Sequence, residues 1–298
     1  DFNLLGAFLP QEVANGLKQY ENQGEVFFRG SILGIASESQ MPAINFEFGC
    51  ENAFFLQTEN EQKVDDLRFT GFFTNGPEHN LRTSEFRLLN FKAKPGKGNF
   101  QANLVVKNFE DPYIKVNMLG DLDLEFVGEF FDLEGFEGIS GEIKISMDFD
   151  ELQDVSMETA DLVQLKESIQ SELILKNLSF SLPGMAQPIK NMNARAILRE
   201  GALRLEHFDA EMGESDLHLT ASVSDFPAIF HGLEKPVEAK LIVKSDLLDL
   251  KDVIGDSTDT DLIRDLSVSL TFDAIAKDLF EFKHLPKGNF FIDDLYMK

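Results

Sequence analysis

The chain has 298 residues, 43% hydrophobic and 27% charged, so it has enough apolar content to fold as one large domain or two ordinary ones. Lys and Arg number 27 against 52 Asp and Glu, and the resulting net charge of −25 excludes a nucleic-acid binder that neutralises phosphates and a basic patch for anionic lipid head groups. The single cysteine, Cys50, excludes an internal disulfide and a Cys-based zinc cluster.

The N-terminus, Asp1-Phe2-Asn3-Leu4-Leu5-Gly6, has neither Met nor the basic start of a signal peptide and reads as a segment excised from a longer protein. No stretch approaches the ~18 apolar residues of a membrane helix. The first element predicted is a helix over 10–20, with Val13, Leu17 and Tyr20 on one face and Pro10 in the first turn. After it the dominant period is two. Phe100, Ala102, Leu104 and Val106 alternate with more polar residues, as do Ile143, Ile145, Met147 and Phe149. A second helix is predicted over 157–169, from Leu162, Leu165 and Ile169. Alternation returns at Leu203 and Leu205, at Leu217, Leu219, Ala221 and Val223, at Val237, Ala239, Leu241 and Val243, and at Val268, Leu270 and Phe272. Between these runs lie a single helical turn at 227–231 and a third helix expected at 259–266. Strands with one apolar and one wet face belong to antiparallel sheets. Asn75-Gly76-Pro77, the Pro95-Gly96 and Pro183-Gly184 pairs, and Met212-Gly213 supply the turns.

The chain also resembles itself. Gly24-Glu25-Val26 and Gly141-Glu142-Ile143 stand 117 residues apart, as do Phe91 and Phe208, Gly96 and Gly213, and Phe109 and Phe226. Asn75-Gly76 and Glu200-Gly201 stand 125 apart, which a shorter intervening loop in the second copy explains. Both copies close on similar runs, Asp121-Leu122-Asp123-Leu124 and Asp246-Leu247-Leu248-Asp249-Leu250. The divisions expected are a helical lead-in at 1–23, one repeat at 24–140, a second at 141–265 and the start of a third at 266–298.

Catalytic patterns are missing. His79, His207, His218, His231 and His284 are scattered, and there is no zinc-binding helix, nucleophile elbow or phosphate loop. The pairs Asp121/Asp123, Asp148/Asp150 and Asp259/Asp261 each place two carboxylates on one side of a strand, the arrangement a hard cation or a glycosidase uses. In a chain with 52 acids they are expected by chance, and 256–267 lacks the glycine and final Glu of a calcium loop. Cys50, beside Phe48-Gly49, reads as a small buried hydrophobe. No cofactor, metal site or enzyme activity is expected.

The 29 phenylalanines, against 3 tyrosines and no tryptophan, need a dry surface. If half of them share the apolar face at ~170 Å² each, that face holds on the order of 2,500 Å², well above the ~300–600 Å² patches of soluble monomers. It must close on itself as a sandwich, curl into an apolar trough, or bury against a partner. Repeated β units stacked edge to edge favour the trough, a long curled antiparallel sheet with a few short helices. Its natural guest is an acyl chain, at about 0.8 kcal/mol per buried methylene. The lining residues expected are Phe100, Leu104, Ile143, Ile145, Phe149, Leu203, Leu205, Leu217, Leu219, Leu241 and Val243.

The run Phe8-Leu9-Pro10 through Tyr20, Gly30-Ser31-Ile32-Leu33-Gly34, Pro42-Ala43-Ile44, Gly71-Phe72-Phe73-Thr74-Asn75-Gly76 and Asn108-Phe109-Glu110-Asp111-Pro112-Tyr113-Ile114 resemble the AsmA-like, TamB-related proteins of Gram-negative bacteria, in the style of Bacteroidota members, most strongly over 1–150. The resemblance implies a β-groove of the bridge-like lipid-transfer kind, tethered to the inner membrane, reaching through the periplasm and supporting outer-membrane assembly. Its partners would be a phospholipid or other acyl-chain lipid, with envelope proteins at the groove ends and no nucleic acid. The alternatives are a closed β-sandwich serving as a scaffold, adhesion or carbohydrate-binding module, for which the lack of Trp tells against sugar binding, and a hydrolase built on paired carboxylates.

Overall fold

The two-residue period produces strands wherever it is sustained. A computed structural model describes residues 20–37, 41–131, 133, 135–150, 169–254, 262–281 and 287–297. Its strands are β1 (Tyr20–Leu33), β2 (Ala43–Gln57), β3 (Lys63–Thr74), β4 (Glu85–Pro95), β5 (Asn99–Lys107), β6 (Tyr113–Asp123) and β7 (Glu137–Asp150), followed by β8 (Ile169–Ser181), β9 (Ile189–Arg199), β10 (Ala202–Met212), β11 (Ser215–Val223), β12 (Pro236–Asp249), β13 (Leu262–Ile275) and β14 (Lys287–Met297). They pair in sequence order as one open antiparallel sheet of 14 strands, because each hairpin leads to the next and no connection crosses over. The sandwich alternative therefore fails. Among the described residues there is one sheet, with no second sheet facing it.

Four short helices interrupt the ladder: α1 (Leu124–Phe130), α2 (Phe226–Phe230), α3 (Leu250–Ile254) and α4 (Ala276–Glu281). The turn at 227–231 thus falls on α2. The helix expected at 259–266 is overturned, since β13 already begins at Leu262 and pairs Leu262 with Asp249 and Ile263 with Leu248. Asp265 has a φ of 50°, and this local reversal shifts the alternation by one residue, so that Leu262, Ile263 and Leu266 imitate helical spacing. The helices expected at 10–20 and 157–169 lie outside the described residues, except that Tyr20 opens β1 and Ile169 opens β8.

Two compact units divide the chain: Asp1–Asp132 with Ser146–Asp154, and Leu133–Ile145 with Val155–Lys298. In both, the strands carry bulges at corresponding places. The register slips between Cys50 and Ala53 on β2 and between Leu175 and Leu178 on β8, a separation of 125 residues. It slips between Leu88 and Phe91 on β4 and between Leu205 and Phe208 on β10, a separation of 117. These are the spacings of the sequence matches. Asn52, Asp66, Asn90, Asn177 and Asn191 take positive φ at such points, a conformation that short polar side chains tolerate better than others. Side chains on neighbouring strands accept the backbone N–H groups that three of the bulges free. Asn103 accepts from Asn90 at 2.8 Å, Asn193 from Asn177 at 3.0 Å and Ser179 from Asn191 at 3.3 Å. Bulges bend strands and increase twist, so they aim the side chains on either side of them.

Aspartate caps start the helices. Asp123 accepts from the Glu125 N–H at 3.0 Å at the head of α1, Asp225 from the Ala228 N–H at 3.3 Å at α2, and Asp249 from the Lys251 N–H at 3.0 Å at α3. Such five- to seven-residue helices hold by docking. Within the first unit, α1 lies over the strand ends, with Phe126 and Phe130 buried. Tyr20 donates to the Phe130 carbonyl at 3.0 Å, and Asn60 donates to the Glu129 carbonyl at 2.7 Å. Within the second unit, Asp252 of α3 is buried and accepts from the Glu214 N–H (2.9 Å), the Ser215 N–H (3.2 Å) and the Ser215 hydroxyl (2.9 Å). At the other end of these strands, α2 and α4 bury Ala228, Leu233, Val237 and Ala276 as a small core.

Gly141 sits at φ 117°, and a Cβ there would stand 2.7 Å from the Leu178 Cα. Gly141→Ala is therefore expected to destabilise the fold by about 2 kcal/mol or more, read as a lower urea midpoint.

Candidate functional site

The largest feature of the first unit is one face of its sheet. Antiparallel register sets Phe28 opposite Phe48, Gly30 opposite Phe46, Phe46 opposite Phe73, and Phe73 opposite Phe86. Residues paired across strands share a face, so these rings pave a common surface. They touch in two runs. Phe28, Phe46, Phe73 and Phe109 follow one another at centroid distances of 5.3, 6.3 and 6.0 Å. Phe86, Phe48, Phe69, Phe91 and Phe100 follow at 6.3, 6.3, 6.0 and 5.8 Å. A Cβ at Gly71 would overlap the Phe48 ring, so the missing side chain is what lets that ring lie flat. Leu88, Leu104, Val106, Val116 and Ile114 continue the surface to β6.

None of these nine rings is buried; Phe126 and Phe130 of α1 are the only buried phenylalanines among the described residues. The apolar residues that are buried here are small or sit at the bulges: Cys50, Ala53, Leu67 and Ala93, with Val26, Phe55 and Val64 packed against them. At that end α1 closes the face, where the Phe130 ring lies 5.0 Å from Tyr20 and Tyr20 lies 6.2 Å from Phe55. Burial pushes the Cys50 thiol up to about 11 against a backbone hydrogen bond at Phe69 that lowers it, and its Sγ lies 3.8 Å from the Leu67 carbonyl, the setting of an inert packing residue.

Every lining residue expected from sequence that falls on a described strand is half-buried. Phe100 and Leu104 lie in the paved face, opposite Ala93 and Leu88. In the second unit, Leu205 faces Ala221 and Leu219 faces both Phe208 and Val243. Leu203 faces Val223, Leu217 faces Ala210, and Leu241 faces Ala221 and Leu270. These six residues, Leu203, Leu205, Leu217, Leu219, Leu241 and Val243, thus share one face of β10 to β12. Ile143, Ile145 and Phe149 alternate on β7 with Glu142, Lys144, Ser146, Asp148 and Asp150. Sequence reasoning missed Phe28, Phe46, Phe48, Phe69, Phe73, Phe86 and Phe91, although their register makes the densest part of the face. The bulges near Asn52, Asp66 and Asn90 reset the alternation and hid them; the usable signal was Phe density itself.

The opposite face is wet, with one departure from expectation. Phe27, Phe54 and Phe72 lie there, each under a cation: Arg29 5.9 Å from the Phe27 centroid, Lys63 4.3 Å from Phe54 and Arg87 4.8 Å from Phe72. The acidic pairs serve the fold. Asp150 accepts from Tyr113 and from Lys115 (2.5 Å), and Asp148 accepts from Asn117 at 2.5 Å. Burial acts to raise the Asp150 pKa, but the bonds from Lys115 and Tyr113 outweigh it and hold the carboxyl below its ordinary range. Asp123 is the cap of α1, and Asp259/Asp261 lie outside the described residues. Among the described residues no three His, Cys, Asp or Glu side chains converge as metal ligands.

His218 bridges strands on the wet face, with Nδ1 2.6 Å from Asp209 and Nε2 3.0 Å from Asp216, and with Lys244 opposite on β12. The Asp209 bond, and then the charges of Asp209 and Asp216, raise its pKa. A raised imidazolium pKa stabilises fully below the unfolded value of ~6.5 and is lost as pH rises through the folded value. Asp209→Asn is expected to move the His218 titration downward in an NMR pH series. Cys50 is expected to resist a thiol reagent at pH 8 and to react once urea unfolds the chain.

Comparison with protein-family models, with characterised proteins and with solved structures finds no match to this chain.

Proposed function

We propose that the phenylalanine-paved face binds the acyl chains of lipids and shields them from water, without a chemical step. The observation that carries this reading is the two touching runs of nine rings in the first unit, eight half-buried and Phe28 exposed, which no second sheet among the described residues covers. Large exposed apolar surface is retained where it meets an apolar ligand or partner. An acyl chain suits it because the face is elongated and lacks charged groups along its rings. Each methylene laid on it contributes about 0.8 kcal/mol, so a chain of a dozen methylenes gains enough to offset the entropy it loses. The acidic wet face keeps such a sheet soluble and opposes edge-to-edge association between copies.

On this reading the chain is a non-enzymatic lipid-transfer segment of the periplasm, tethered to the inner membrane in the full-length protein and serving outer-membrane assembly. That setting rests on the resemblance to AsmA-like proteins alone. The repeats at 24–140, 141–265 and 266–298 would extend the groove, with envelope proteins at its ends.

Native mass spectrometry after gentle extraction is expected to find lipid on the chain, and a fluorescent fatty acid is expected to bind with its emission blue-shifted. Phe48→Asp sets a carboxylate among the rings and is expected to weaken fatty-acid binding about tenfold or more; because the ring is half-buried the urea midpoint falls as well, so binding is read where the variant's circular dichroism is still native. A chain free of lipid in several preparations, with no fatty-acid uptake, overturns the proposal.

A further inference from the structure

A depression of about 390 Å³ lies on the wet face of the first unit, and every residue lining it belongs to β1, β2, β3 or β4. Two rows of the ladder make it. Arg29, Glu47, Phe72 and Arg87 stand opposite one another in the first row, and Ser31, Asn45, Thr74 and Glu85 in the second. The rows are two residues apart along each strand and so share a face, while Phe46 and Phe73 between them turn their rings to the paved side. Short side chains at Ser31, Asn45 and Thr74 beside long ones at Arg29, Glu47, Phe72 and Arg87 leave the hollow.

The hollow carries both signs of charge. Arg29 pairs with Glu47 at 3.7 Å and Arg87 with Glu85 at 3.3 Å, and exposed pairs of this kind exchange partners at little cost. A ligand of one sign meets repulsion here: an anion at Arg87 faces Glu85 and Glu47, and a cation at Glu47 faces Arg29. The groups also sort by strand. On β3 and β4, the Arg87 guanidinium is steadied by Glu85 and by the Phe72 ring, 4.8 Å from its centroid. Thr74 Oγ1 accepts from the Gly76 N–H at 3.1 Å, which leaves its own proton to donate. A guanidinium fork and a hydroxyl suit the oxygens of a phosphate. On β1 and β2, the Glu47 carboxylate, the Asn45 carbonyl and the Ser31 hydroxyl are three neighbouring acceptors, which matches the three N–H donors of a primary ammonium. Strands β2 and β3 are ~4.8 Å apart, a step that a phosphate and an ammonium joined by two carbons bridge.

From this we infer that the hollow binds a phosphoethanolamine group, free or as the head group of a lipid, with the phosphate at Arg87 and Thr74 and the ammonium at Glu47, Asn45 and Ser31. Both displaced charges keep a place. Lys107 stands opposite Glu85 on β5 and compensates it when Arg87 turns to the phosphate, and Arg29, 76% exposed, returns to water when the ammonium takes Glu47. Phosphocholine has no N–H to give the three acceptors and is the weaker ligand. The inference does not rest on the acyl-binding reading, since the hollow and the rings lie on opposite faces of the sheet.

The test is titration calorimetry of the full chain with phosphoethanolamine, phosphocholine and inorganic phosphate. Phosphoethanolamine is expected to bind about tenfold or more tightly than either of the others. Arg87→Gln and Glu47→Gln are each expected to weaken it about tenfold. Lys94→Gln, which removes a cation of the same unit outside the hollow, is expected to change nothing. Fatty-acid uptake is expected to persist in Arg87→Gln and Glu47→Gln, so failure of the hollow and failure of the paved face are distinguishable. Glycerophosphoethanolamine separates the two sources: binding as tight as the monoester's supports a lipid head group, and binding of the monoester alone supports a free ligand. No binding of either ester at millimolar concentration overturns the inference, as does equal binding of inorganic phosphate or phosphocholine, or unchanged binding in both variants.

Discussion

An antiparallel sheet of alternating residues always has an apolar face, and in most proteins a second layer buries it. Here the strands run on in sequence order from β1 to β14, and the four helices among the described residues are five to seven residues long. A helix of that size covers a turn or a strand end and no more. The uncovered face is therefore the feature on which the rest of the structure depends. It explains why the buried phenylalanines among the described residues are those of α1, while of the nine rings on the face Phe28 is exposed and eight are only half-buried. It also explains why the buried apolar side chains cluster at strand ends and bulges, where Cys50, Ala53 and Ala93 in one unit and Ala228 and Ala276 in the other are small enough to let backbones approach.

The bulges give the face its local geometry. Each one reverses the phase of alternation along its strand, so residues that would have pointed to opposite faces are brought to the same one. On β2 the slip between Cys50 and Ala53 lets Phe48, Cys50, Ala53 and Phe55 share a face. The backbone groups that a bulge frees need partners, and asparagine and serine side chains one strand away supply them. The recurrence of these slips at 117 and 125 residues makes the bulge a repeated part of the fold.

Polar chemistry in the molecule is spent on holding strands and ends together. Asp150 ties β7 to Tyr113 and Lys115 of β6, Asp216 accepts from the Asp246 and Leu247 N–H groups where β11 and β12 part, and Asp252 fastens the 213–215 turn to α3. Of the carboxylates that looked from the sequence like candidate catalytic or metal pairs, Asp123 accepts from a backbone N–H, Asp148 from the Asn117 amide and Asp150 from Tyr113 and Lys115. The wet face carries three phenylalanines under cations, so cation–π contact takes the place of burial there.

The sequence by itself determined the antiparallel β class, the one-sided strands, the turns at Gly76, Gly96 and Gly213, the spacing of the internal match and the burial of Cys50, because alternation, turn chemistry and side-chain size act over a few residues. It also placed Leu203, Leu205, Leu217, Leu219, Leu241 and Val243 on stretches of β10 to β12 that lie clear of the bulge after Leu205. It misread 259–266 as a helix and passed over α1, α3 and α4, since a bulge at Asp265 imitates helical spacing and a helix of one or two turns has too few residues to show a period. Only the tertiary structure decided that the sheet stays open and that Phe46, Phe48, Phe69 and Phe91 join into a continuous surface. It alone set Phe27, Phe54 and Phe72 on the other side. Those outcomes depend on cross-strand register, and register is settled by pairing between residues far apart in the chain, where one slipped residue moves a ring from one face to the other.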